Sequence, residues 1–146
     1  MKWLLALLPL TLMVACKSND GSDVPWRSLA RSPLSGVAEP GLRVARSADE
    51  WRELWALHGR AMLKAPTTPE LDLERDMAIL VSDGQKPTAG WSLEVTALTI
   101  EDGQLIVQAR VIAPPTDSMQ AQVVTAPCEI IATTRHKLPV QLRITR

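Results

Sequence analysis

The sequence predicts an α+β domain: an antiparallel β-sheet, or a small β-sandwich or barrel, with one amphipathic helix packed against it. Three observations carry this. A single segment, residues 47–59, sets apolar residues at helical spacing behind a capping box. Elsewhere apolar residues alternate over short runs bounded by turn residues, the pattern of half-buried strands. The connections are mostly short, which favours antiparallel neighbours over parallel strands and their long crossovers. At 146 residues and 46% hydrophobic, the chain is long enough for one core and too short for two. Its 16 basic and 16 acidic side chains cancel, which removes the electrostatic reason to expect nucleic acid as a partner. Two His and two Cys are too few for a zinc cluster or a disulfide framework, and neither metal nor cofactor is implied.

The N-terminus is read first as a leader. Lys2 is followed by an apolar stretch over residues 3–14, broken only by Thr11. That stretch is shorter than the roughly 20 residues that cross a bilayer as a helix, so residues 1–15 read as a secretory signal peptide. Its end, Leu12-Met13-Val14-Ala15-Cys16, resembles the bacterial lipobox, with Met13 where Leu is more usual. The resemblance implies cleavage before Cys16 and lipidation of its thiol. Lys17 follows in place of the Asp that retains lipoproteins in the inner membrane, which points to an outer-membrane anchor facing the periplasm. Residues 17–23 are polar and read as a tether. Residues 24–41 hold Pro25, Pro33 and Pro40 with Trp26 and Leu29 and receive no regular structure. Residues 16–41 are therefore expected to be anchor and linker, and 42–146 the globular domain.

Residues 42–46 alternate as a short strand. Ser47-Ala48-Asp49-Glu50 then fits a capping box, and Trp51, Leu54, Trp55 and His58 share one helical face, with Gly59 as terminator. Trp51 and Trp55 could stack on sugar or peptide, but this spacing favours core packing. His58 reads as a hydrogen-bonded residue at the edge of that core. Residues 64–70 form a loop. Residues 71–76 alternate, and if extended they set Asp72, Glu74 and Asp76 on one face, a solvated face in the absence of the further oxygen ligands calcium needs. Residues 77–81 are an apolar run suited to a central strand. Residues 91–96 alternate, and Leu98 and Ile100 change the parity, which points to a bulge or a change of face near Ala97. Glu101-Asp102-Gly103 turns a hairpin into a strand over residues 105–112, ended by Pro114-Pro115. Strand-like runs follow at about 120–125 and 128–133. The last, 138–145, puts Leu138, Val140, Leu142 and Ile144 on one face, with Pro139 marking an edge or entry. Cys128, without a disulfide partner if Cys16 is lipidated, reads as a small buried hydrophobe. Nucleophilic use would need a base beside it, and neither His58 nor His136 comes with a local motif.

The candidate binding segment is Gly84-Gln85-Lys86-Pro87-Thr88-Ala89-Gly90-Trp91. Pro87 fixes its own φ while Gly84 and Gly90 permit positive φ on either side. Such a loop has little order to lose on binding. Lys86 adds charge, Thr88 a hydroxyl and Trp91 a large contact surface. A turn whose Trp91 faces the core is the competing reading.

At these residues the chain resembles the PrcB C-terminal domain family. The likeness is carried by Glu50-Trp51 with Leu54-Trp55 and His58, by Leu71-Asp72-Leu73 with Arg75-Asp76-Met77, by the 84–91 segment, and by Thr125-Ala126-Pro127. It covers about residues 42–145. Ala89-Gly90-Trp91 stands where the family usually has Gly-Gly-Tyr, and Cys128 where it often has Tyr. The resemblance implies a non-catalytic, secreted or lipid-anchored partner that stabilises or assists an extracytoplasmic protease. A weaker likeness, limited to Pro87, Thr88, Gly90 and Trp91, is to the loop of chagasin-like peptidase inhibitors. Peptidase inhibition through the Pro87 to Trp91 loop and binding of cell-wall glycan or a small ligand are the alternatives. No Gly-x-Ser-x-Gly element, metal spacing or phosphate loop supports an enzyme.

Overall fold

The computed structural model describes residues 21–146; the leader and Cys16 lie outside the described residues. The elements are β1 (Ser22–Asp23), β2 (Trp26–Ser32), β3 (Pro40–Ala45), α1 (Ala48–Gly59), β4 (Asp76–Asp83), β5 (Ser92–Glu101), β6 (Gln104–Ile112), β7 (Cys128–Thr134) and β8 (Val140–Thr145). They form two four-stranded sheets, ordered β1-β5-β6-β8 and β2-β7-β4-β3. The α+β sandwich with one helix is as the sequence predicts, but the pairing is not wholly antiparallel. β8 runs parallel to β6, with Leu105 opposite Val140. The connection after β7 crosses from the second sheet to the first at the end where β6 begins, so the chain can only run alongside β6.

Met77, Ile79 and Val81 of β4 and Ile131 of β7 face Leu93, Val95, Leu98, Leu105, Val107 and Ala109 across the sandwich. The alternate residues Ala78, Leu80 and Ile130 face the other way, onto Trp51, Leu54 and Trp55 of the helix. The two inner strands of the second sheet are thus covered on both faces, which is why residues 77–81 read as a continuous apolar run. The bulge expected near Ala97 is present, the β5–β6 register shifting between Val95 and Ala97. Asp102 and Gly103 turn the following hairpin with φ of 49° and 74°, the left-handed pair of a two-residue loop. Pro139 directly precedes β8, an edge strand.

At the helix start, Ser47 Oγ accepts from Glu50 N at 3.2 Å and Glu50 Oε2 accepts from Ser47 N at 3.1 Å. The predicted capping box is therefore formed. Gly59 is the last helical residue, and the chain continues right-handed at Arg60. It serves packing instead of termination, because a Cβ there would meet Pro66 Cδ at 2.9 Å. The loop after the helix folds back, and Pro69 O and Pro66 O accept from the indole N–H groups of Trp51 and Trp55 at 3.1 and 2.9 Å.

Three expectations are corrected. Residues 22–41 are not linker: β1 pairs with β5, and β2 pairs with β7 along its length. The prolines do not obstruct this, because Pro25 and Pro33 flank β2 and Pro40 opens β3. Residues 71–75 are not extended: Asp72 O accepts from Arg75 N and Asp76 N, and Asp72 Oδ1 from Glu74 N. The aspartate side chain offers the backbone a turn in place of a ladder. Residues 120–124 form no strand, and only Thr125 makes a bridge, to Lys86.

The charged residue inside the β7 run ties the sheets together. Glu129 is fully buried, and its carboxylate accepts from Ser28 Oγ at 2.7 Å, Arg31 Nη2 at 3.0 Å and the backbone N–H of Val95. Ser28 and Val95 each border a register shift, in β2 and β5 respectively. One side chain therefore serves two bulged strands in different sheets. Glu129→Ala would leave the buried Val95 amide without its acceptor and Arg31 with only Glu94, and it should lower unfolding free energy by about 1–3 kcal/mol. Glu129→Gln, which keeps an acceptor, should cost less. Urea unfolding of the three proteins checks this, and an alanine variant as stable as the parent would refute the role.

Candidate functional site

β4 ends and β5 begins at one end of the sandwich, and the segment between them is held on both sides. Gly84 and Gly90 take φ of 73° and 89°, and a Cβ on Gly90 would run into Gln120 and Pro114. Gln85 N donates to Ala38 O at 3.2 Å. Lys86 exchanges two backbone bonds with Thr125, at 2.8 and 3.0 Å, and Ala89 N donates to Ala121 O at 3.0 Å. Thr125 Oγ1 donates to Thr88 O at 2.8 Å. On the far side of residue 125, Ala126 N donates to Pro33 O and Ser35 Oγ to Ala126 O. Residues 33–39, 84–91 and 113–127 therefore meet as three mutually bonded loops.

The base of the middle loop is electrostatic. Asp83 is buried and accepts from Lys86 Nζ at 2.5 Å and Arg146 Nη2 at 2.6 Å. Burial alone would raise its pKa, but the bonds from Lys86 and Arg146 outweigh it and hold the carboxyl below the usual range. Lys86 Nζ also lies 5.1 Å from the centroid of the Trp91 ring, within cation–π range. Thr88 Oγ1 donates to Ala89 O at 3.0 Å and accepts from Trp91 Nε1 at 3.2 Å. Trp91 is half-buried and packs on the core between the sheets.

The six candidate residues thus divide. Gly84, Lys86, Thr88 and Trp91 shape the loop, while Pro87 and Gly90, with Gln85, form its exposed tip. The rim is apolar: Met119 is 100% exposed, Val124 63%, Val123 52%, and Ile112 and Leu34 also face solvent. Sequence reasoning missed this rim because residues 120–125 read as a strand, whereas only Thr125 among them makes a bridge. Trp51 and Trp55 are buried, so their faces are used in packing and are not offered to a ligand.

The structure also joins two residues that no local motif connected. Cys128 Sγ lies 3.3 Å from His58 Nδ1, with the thiol fully buried and the imidazole 3% exposed. Burial pushes the Cys128 thiol up to about 11, with Glu129 adding in the same direction against a bond from Ser35. Burial also lowers the His58 pKa. An activated Cys–His pair needs the reverse, a depressed thiol and a reachable sulfur. This pair is a neutral core contact. Among the described residues no group of His, Cys, Asp and Glu is arranged to hold a metal ion, and no helix is long and apolar enough to cross a membrane.

Residues 77–134, which run from β4 through the three-loop end to β7, match the family model described as PrcB C-terminal. No curated protein and no solved structure matches the chain.

Two outcomes follow from this geometry. Because the folded His58 pKa is depressed, the unfolded chain binds more protons below about pH 6.5, and stability should fall as pH drops through that value. His58→Gln should flatten the urea midpoint between pH 7.5 and 5.5; an unchanged slope would contradict it. Thr88→Val should free the Trp91 indole N–H, lower stability by about 1 kcal/mol and change Trp91 fluorescence, with an unaltered spectrum counting against the loop contact.

Proposed function

We propose that this chain, whose residues 77–134 match the PrcB C-terminal family, is a non-catalytic envelope lipoprotein that binds and assists an extracytoplasmic protease. The observation that carries the reading is the three-loop end. Its backbone is fixed by internal hydrogen bonds while Pro87, Gly90 and an apolar rim remain open. Fixed loops lose little entropy on docking, and exposed apolar side chains rimmed by polar ones suit a protein partner. The buried, neutral state of the Cys128–His58 pair supports binding over chemistry.

The anchor is the lipid on Cys16, in the outer membrane facing the periplasm. Five peptide steps separate Cys16 from Gly21, a reach of at most about 17–18 Å. Gly21 lies against Glu101 beside the β5–β6 hairpin, and the three loops lie at the other end of β5. An anchored domain would therefore keep the hairpin end near the membrane. Its loops would project outward by the length of a ten-residue strand, about 30 Å.

The test uses the full chain with Cys16→Ser as bait in envelope extract, beside the same chain carrying Pro87→Asp. Capture of a protease by the first and at least tenfold less by the second is expected. Equal capture would move the interface off this loop, and no protease in either eluate would overturn the partner reading. For the anchor, palmitate labelling and membrane association of the unaltered chain should vanish with Cys16→Ser.

A further inference from the structure

We propose that residues 122–124 accept an extended strand from a protein partner, which adds to the fold by backbone hydrogen bonding. The inference rests on the reading that the three-loop end binds protein, and it names how. Ala121 O and both backbone groups of Thr125 address the 84–91 loop. Along an extended chain alternate residues point their backbone groups to opposite sides, so Gln122 and Val124 turn theirs away from that loop. Neither residue makes a backbone–backbone hydrogen bond among the described residues, and both are exposed. On the same side two residues beyond Val124, Ala126 N is already bonded, to Pro33 O. The open positions therefore continue an edge whose next position is filled from the β2 end of the chain.

The sequence of this segment fits the role. Gln120-Ala121-Gln122-Val123-Val124-Thr125 has strand-forming residues and no charge, yet the domain leaves it unpaired. Edges that are to stay single usually carry lysine, proline or a bulge, and this one carries none of them between residues 120 and 125. Unpaired backbone donors and acceptors at strand spacing are complementary to another backbone, which selects an extended peptide over a helix or a glycan. The lack of charge and the exposure of Val123, Val124 and Leu34 select a segment that is poor in charge and rich in β-branched or other apolar residues. A second copy of this chain pairing through the same edge is the competing occupant.

The full chain with Cys16→Ser is panned against a phage-displayed library of random 12-residue peptides, and selected peptides are synthesised. Charge-poor, β-branched peptides should be enriched. They should slow amide exchange at Gln122 and Val124, and bind at least tenfold more weakly to Val124→Pro and to Gln122→Pro. Each variant removes an N–H that no protein group uses, and Val124→Thr, which keeps it, should bind as the parent does. Thermal midpoints identify any variant that has lost its fold, and either proline variant alone suffices. No enrichment, or peptides that bind both proline variants like the parent, would overturn strand addition. A dimer in sedimentation that either proline variant dissolves would also overturn it, in favour of a second copy. Capture of a protease by parent and proline variants alike would overturn strand addition and leave the accessory function standing.

Discussion

The carboxylate of Glu129 is the contact on which the sandwich depends. A buried charge without partners is prohibitively unfavourable, and this one is surrounded by the donors that relieve it: a hydroxyl and a guanidinium from β2 and an amide from β5. Those strands belong to different sheets, so the side chain can be satisfied only when the sheets are stacked in one relative position. Apolar faces would tolerate sliding by a residue pair; a fixed set of hydrogen bonds does not. The bulges in β2 and β5 belong to the same device. A bulge breaks the ladder locally, and Glu129 bonds Val95 N at the border of one break. Outside the core, Arg31 reaches on to Glu94, which pairs with Arg110 of β6. Such exposed pairs add little stability by themselves and mainly extend the direction already set inside.

Fixing the sheets also fixes the loops. β4, β5, β6 and β7 all reach the same end, where residues 84–91 and 113–127 connect them in turn. Sheet registration therefore decides whether Lys86 meets Thr125 and whether Ala126 meets Pro33. The helix contributes from behind, since Trp51, Leu54 and Trp55 cover the outer face of the second sheet. No part of this route requires a catalytic group. The Cys128 thiol, beside the His58 imidazole, is fully buried.

Much of this was legible in the residues, and the failures share a cause. The helix, its capping box, the central strand at 77–81, the bulge near Ala97 and the hairpin at Asp102-Gly103 are local events, encoded by residues within a turn or two of one another. β2 was not legible because its partner, β7, is about a hundred positions away, and three nearby prolines resemble a linker until each is seen to stand beside or at the start of a strand. Residues 120–125 failed in the opposite sense: their propensity is that of a strand, but propensity cannot supply a neighbour. The candidate loop was found from Gly84, Pro87 and Gly90. The division of labour within it was not, because Asp83, Arg146 and the indole of Trp91 meet only in the fold. A charge within an otherwise apolar strand, Glu129, was the one visible sign of the inter-sheet contact.

The arrangement of the three-loop end bears on what kind of binding it can support. A surface of free loops would lose backbone entropy on docking, at about 1–2 kcal/mol for each residue ordered. Here the hydrogen bonds of Gln85 with Ala38, Lys86 with Thr125 and Ala89 with Ala121 order the backbone when the domain folds, before any partner arrives. What remains open is of two kinds, apolar side chains and unpaired backbone groups, and both are tolerated in isolation because water covers them. Exclusion of that water by a partner would turn both into attraction, the first by area and the second by direction. Residues 122–124 are neither closed into a ladder nor guarded by charge. Open positions of this kind beside a rigid loop are what the proposed strand addition requires.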